Sequence, residues 1–234
     1  MAIRDIVQAA AGVGGGGEYV EDVFSTYLIT LTSTANTQIP HGLDFSTHGG
    51  LTWVKNRVAG YGHTLGTTSI GTSKFLTTNV TDAVTSATSF VSFDTNGTTI
   101  TRAGGYFGNN DEPLVSWNFR KAPKFFDVVT WTGNGVAGRT VAHNLGSVPG
   151  AMIVKATSTT SHWSVYHRSL GPLVNLFLNT TNGILTSPLY WNDTAPTDAV
   201  FSVGDGSAGN LNNTSGVTYV AYLFAHDAGG FGDD

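Results

Sequence analysis

Short runs of alternating hydrophobic and polar residues make up most of the chain. Leu51-Thr52-Trp53-Val54-Lys55 alternates as a strand with one buried face does. Leu114 to Phe119 and Phe126 to Trp131 read the same way. So do Phe24 to Leu31, Ser73 to Thr77, Phe90 to Phe93, Thr98 to Arg102, Arg139 to Val141, Ala151 to Lys155, Trp163 to Tyr166, Leu176 to Asn179, Ala199 to Val203 and Val217 to Phe224. These runs recur at roughly ten-residue spacing with turn residues between them, the signature of a sandwich or barrel. Asp94-Thr95-Asn96-Gly97 carries Asn-Gly, the strongest short hairpin signal. One segment has helical period instead. Ile3, Ile6, Val7, Ala10 and Ala11 fall on one face, and Gly12 with the run Gly14 to Gly17 ends it. A helix this short is marginal alone in water, so the pattern predicts an anchor that buries its stripe in a partner, with the glycines as tether.

The strand pattern is written twice. His41-Gly42-Leu43, Trp53-Val54-Lys55 and Trp117-Asn118-Phe119 return in order as His143-Asn144-Leu145, Ile153-Val154-Lys155 and Tyr222-Leu223-Phe224. Lys74 to Asn79 is echoed by Leu176 to Asn182. A period of about 100 residues suits a small β-sandwich and is too long for a solenoid or propeller repeat. The expectation is an all-β protein: residues 1–17 as helix and tether, 18–39 as transition strands, and two tandem, jelly-roll-like β-sandwich domains at 40–122 and 123–227. A linker around Arg120–Lys124 would join them like beads, and residues 228–234 would form a Gly- and Asp-rich tail.

Composition narrows the function classes. Of 234 residues, 40% are hydrophobic, enough for packed cores, while only 12% are charged, about half the usual share. Thr, Asn, Ser and Gly fill the gap, as suits β-rich folds and proteins that work outside the cytosol or within an assembly. The net charge is -5 and the 11 Lys and Arg are scattered, which argues against nucleic-acid binding. With no cysteine there is no disulfide framework or thiolate site. No apolar run is long enough to span a bilayer, and residues 1–17 do not make a signal peptide.

Candidate chemistry is sparse. Gly12 to Gly17 formally fits G-x-G-x-x-G but lacks the strand and helix a dinucleotide site needs. His162 and His167 stand five apart and would point to opposite faces of a strand, a poor pair of metal ligands. A glycosidase needs two opposed carboxylates, and the only Glu residues are Glu18, Glu21 and Glu112. Asp227, Asp233 and Asp234 do not match a calcium-loop spacing. No nucleophile elbow is present. Four of the five Trp lie in predicted strands and read as core. Trp191, in the loop-like stretch Tyr190 to Pro196, is the one aromatic singled out for ligand contact. No catalytic residue and no cofactor is predicted.

His143 to Gly146, Met152 to Lys155, Trp163 to Arg168, Trp191 to Pro196 and Tyr219 to Asp227 together resemble the repeating domain of tail-fibre-like proteins of aquatic bacteriophages, notably those infecting cyanobacteria. The opening Met1 to Gly12 looks like the N-terminal signature of such virion proteins, and in the first repeat Trp53 to Arg57 is the best match. The resemblance implies a β-rich, non-enzymatic structural protein of the phage tail, attached to a tail adaptor or other virion protein through Ile3, Ile6, Val7 and Ala10. A homotrimer is expected, since fibres are usually threefold and a short helix gains partners by bundling. Three alternatives stand beside it: a head-surface decoration protein, a module recognising host surface glycans, and a depolymerase. Nucleic acid and membrane insertion are not expected.

Overall fold

The computed structural model describes residues 19–31, 35–102, 105–207, 209 and 211–226. It is predominantly β, with 44% strand and 6% helix. The first half of the chain carries β1 (Phe24–Thr30), β2 (Asn36–Ile39), β3 (Gly50–Asn56), β4 (Thr64–Thr67), β5 (Lys74–Thr77), β6 (Thr85–Ser86), β7 (Phe90–Asp94), β8 (Gly97–Thr101) and β9 (Pro113–Arg120). The second carries β10 (Phe126–Thr132), β11 (Arg139–Ala142), β12 (Pro149–Ala156), β13 (Ser164–His167), β14 (Val174–Phe177), β15 (Leu185–Thr186), β16 (Val200–Val203) and β17 (Thr218–Ala225).

One topology is used twice. A six-stranded antiparallel sheet ordered β1-β9-β3-β4-β5-β6 is matched by a second ordered β10-β17-β12-β13-β14-β15. A small sheet covers the outer face of each: β2-β8-β7 in the first half and β11-β16 in the second. The strands expected before the first repeat are β1 and β2, and each belongs to a sheet of the first half. β1 pairs along its whole length with β9, and β2 with β8. Their partners lie so far along the chain that no local pattern could reveal the pairing.

Alternation decides which side chains go where. Along β9 the burial pattern switches at every residue: Leu114, Ser116, Asn118 and Arg120 are buried, and Val115, Trp117 and Phe119 partly so. The face of the first sheet that carries Leu114 meets its small sheet in a cluster of Val54, Phe75 and Leu114 with Ile39, Phe90 and Ile100. Gly66 permits that closeness, because a Cβ there would stand 2.6 Å from the Phe90 ring. In the second half, Trp131, Met152, Val154, Tyr219 and Leu223 meet Val141, Phe201 and Val203. The Asn96-Gly97 turn forms as expected, closing the β7–β8 hairpin with Gly97 at φ +151.

The other faces of the two large sheets pack on each other. Leu51, Leu65 and Leu76 of the first meet Phe126, Val128, Val220 and Tyr222 of the second, with Trp163 fully buried among them. The halves therefore share a core and do not hang as separate beads. The expected linker at Arg120–Lys124 is a tight turn: Arg120 closes β9, Ala122 bridges to Phe126, and Lys121 forms an ion pair with Asp127 at 2.9 Å.

The repeated histidines are structural. The Leu43 N–H donates to Nδ1 of His41 and the Leu145 N–H to Nδ1 of His143, each at 3.3 Å. His41 Nε2 then donates to Thr98 Oγ1, which also bonds Thr52 Oγ1 across the layers. Both rings are buried, and burial depresses both pKa values, that of His41 to about 4 against an opposing pull from Asp94.

Two measurements test this packing. Trp163→Ala should destabilise the protein by about 3–5 kcal/mol in denaturant titrations. A folded pKa below the unfolded value means that the stability from neutral His41 is complete above pH 6.5 and is lost as pH falls toward 4. That loss should reach about 2 kcal/mol by pH 5 and shrink in His41→Gln.

Candidate functional site

The two halves correspond position by position, with an offset of 100 residues through β3 to β6. In each, an Asn side chain fastens the start of the fourth strand. Asn79 Oδ1 accepts the His63 N–H at 2.9 Å, and Asn179 Oδ1 accepts the Trp163 N–H at 3.1 Å. The preceding residue, Thr78 or Leu178, donates its N–H back to the carbonyl of His63 or Trp163. Gly71 and Gly171, one repeat apart, both hold positive φ. Lys55 and Lys155 each donate to the carbonyl of the next residue, Asn56 or Ala156.

This correspondence fails at the seam between the two sheets. On one side the 80–84 loop of the first half is laced to the second. Trp163 Nε1 donates to the Val80 carbonyl at 3.2 Å. The Thr81 carbonyl accepts from Lys155 Nζ at 3.2 Å and from the Ser161 N–H at 2.9 Å, and the Val84 N–H donates to Thr157 O at 2.9 Å. Lys155 is fully buried with Ser161 Oγ and two carbonyls around Nζ, and burial lowers its pKa to about 8.

On the other side the equivalent loop, 180–184, faces Trp53 and His63, and among the described residues no corresponding hydrogen bond is made. Lys55 turns instead to the Asn56 and Ala59 carbonyls of its own half. Ile184 is 60% exposed, whereas its counterpart Val84 packs into the shared core. Position 63 is His where position 163 is the Trp that fills the closed side. A cleft of about 670 Å³ results, walled by Trp53, His63, Thr78 and Asn79 on one side and by residues 178–182 on the other.

The cleft has a definite chemistry. Trp53 lines it, partly buried against the shared core, and beside it on β9 lies the partly buried Trp117, with ring centroids 6.1 Å apart and edge to face. No Asp, Glu, Lys or Arg lines the cleft. The pKa of His63 is lowered, first by burial and then by the Lys55 charge, which favours the neutral ring. What remains is an aromatic wall rimmed by amides and hydroxyls. A second groove of about 710 Å³ runs along the closed side past Thr130, Thr132, Thr157 and Thr218. Its aromatics, Trp131 and Tyr219, are buried in the core and offer it no ring face.

The residues singled out from sequence fare differently. Trp191 is 1% exposed: it ends a helical turn, Pro188–Trp191, and packs edge-on against Tyr166. It is a core residue with no face for a ligand; the loop-like part of the stretch is residues 192–196, which follow it. Ser187 starts that turn by accepting the Leu189 N–H, with Pro188 following. Two other helical turns, Val20–Val23 and Phe45–His48, also lie where no helix was expected. Ile3, Ile6, Val7 and Ala10 lie outside the described residues, as do Asp227, Asp233 and Asp234.

His162 bonds the Asn179 side chain, and among the described residues no group of three His, Asp or Glu could hold a metal. Glu112 accepts from the Asn109 N–H and from Asn56 Nδ2, bonds that stabilise its ionised form and lower its pKa. A glycosidase acid needs the opposite shift. Trp53 and Trp117 were missed because each looks unremarkable in its own strand, and His63 because it stands just before one. The signal was in the mismatches between repeats: Trp53 against Ile153, Trp117 against Tyr222, His63 against Trp163.

Residues 20–232 match the family described as Domain of unknown function (DUF7483), and the chain belongs to that family. No curated protein and no solved structure is detectably similar.

The burial of the aromatics sets an expected outcome. A collisional quencher such as iodide should reach the indoles of Trp53 and Trp117 but not those of Trp131, Trp163 and Trp191, and the double variant Trp53→Phe, Trp117→Phe should abolish quenching. Trp191→Ala should cost about 3–5 kcal/mol of stability, as loss of a core aromatic does.

Proposed function

We propose that this member of the DUF7483 family is a non-catalytic β-structured component of a bacteriophage tail fibre, built from two repeated β units and held to the particle through residues 1–17. Its β body serves for display toward the host surface. The resemblance of the strand motifs to tail-fibre-like proteins brings the virion setting. The observation that favours display over an in-line shaft is where the chain enters and leaves the body. Phe24, which opens β1, and Phe224, near the end of β17, flank the same ring, that of Phe119, at 4.8 and 5.5 Å. A shaft segment takes the chain in at one end and releases it at the other. A body whose two ends meet at one pole projects from its point of attachment.

A homotrimer remains the expected assembly, formed around the N-terminal segments. A second reading, recognition of host glycans, is favoured by one feature, the uncharged aromatic cleft on the open side of the seam.

Co-sedimentation tests the proposal. Full-length chain and chain lacking residues 1–17 would be mixed separately with fibreless phage particles and with host cells. Binding to particles should vanish on truncation while binding to cells survives. Undiminished particle binding by the truncated chain would remove the N-terminal anchor and with it this placement.

A further inference from the structure

We infer that the open side of the seam is a binding site for a neutral saccharide, with Trp53 as the stacking platform. The inference rests on the display reading above and gives it a ligand class.

The argument begins from what the cleft lacks. No Asp, Glu, Lys or Arg lines it, and Lys55 nearby is turned to backbone carbonyls of its own half, so the lining offers no charged partner to phosphate, sulfate or carboxylate groups. It is also not simply apolar. Asn79, Asn179, Thr180, Thr181 and Asn182 surround the Trp53 ring with amide and hydroxyl groups. Asn79 and Asn179 hold their carbonyl oxygens to backbone N–H groups, which fixes the side chains and leaves the Asn79 NH2 free to donate.

A pyranose ring matches this surface. Its C–H face is apolar and packs on an indole, while its hydroxyls radiate in the ring plane toward donors and acceptors at the rim. Trp117 adds an edge 6.1 Å away and extends the aromatic wall along β9 toward exposed Leu28 on β1. The same fold closes the seam at the equivalent place, so the partly exposed Trp pair marks where the two sides differ. There Trp163 occupies the space completely, and loop 80–84 seals it. The open side therefore differs from the closed side by the substitution that empties it, His63 in place of Trp.

The test uses the full chain and short, uncharged gluco- and manno-oligosaccharides, with sulfated oligosaccharides of the same length as comparison, read by indole fluorescence and by NMR shifts of the Trp Nε1–H signals. The neutral sugars should perturb Trp53 and Trp117 and leave Trp163 and Trp191 unmoved. Trp53→Ala should weaken binding about tenfold or more. Because Trp53 borders the core, His63→Trp serves as the second variant. It copies the closed side into the open one and should abolish binding while thermal stability holds or rises. No response to any neutral sugar, a preference for the sulfated series, or full binding by folded His63→Trp would each overturn the inference. Attachment to particles through residues 1–17 is read independently, so the cleft can fail while the display reading stands, and the reverse.

Discussion

Everything distinctive about this protein follows from the burial of two like sheet faces against each other. Each half could have covered its large sheet with one small sheet and left the other face to water, as many antiparallel sheets do. Instead the facing sides of both large sheets are apolar: Leu51, Leu65 and Leu76 on one, Phe126, Val128, Val220 and Tyr222 on the other. Exposed, these would form a large hydrophobic patch. Packed, they make a third core between the other two. The turn from Arg120 to Phe126 is short because the sheets it joins are already in contact. The aromatic knot of Phe24, Phe119, Phe126 and Phe224 gathers both ends of the body at one pole for the same reason.

A repeat that packs on itself has two equivalent edges to its seam, and divergence lets them take different roles. Here one edge keeps structure. Trp163 fills it, Lys155 reaches across to Thr81, and Val84 pairs with Thr157. The other edge has His63 in place of the filling Trp and leaves Trp53 and Trp117 partly exposed. The stability supplied by the closed edge is what permits the open edge to exist as a pre-formed cleft, and a pre-formed site loses little entropy on binding. Function on this account resides in the asymmetry between repeats, and the common features, the His41 and His143 rings above all, are scaffold.

Much of the fold was legible in the alternation of side chains, because a period of two maps directly onto buried and exposed faces. The strands around Leu51, Leu114, Phe126 and Val217 lie where the pattern puts them, and the Asn96-Gly97 hairpin forms. Pairing was not legible: nothing local to Phe24–Thr30 says that its partner is Pro113–Arg120. Nor was the third core, since alternation tells which residues share a face but not what covers it. Trp191 was misread because its polar neighbours outweighed a helix-start signal, Ser187-Pro188, that the sequence does contain. The cleft was hidden for a different reason. Each of its aromatics fits its strand, and only the comparison of one repeat with the other exposes them.

The central claim is that the two halves form one body through a shared core. Calorimetric unfolding of the full chain tests it most directly. A single transition whose calorimetric and van't Hoff enthalpies agree is the result the shared core predicts. Two resolved transitions, each with the enthalpy of about half the chain, would show halves that fold independently and would contradict it.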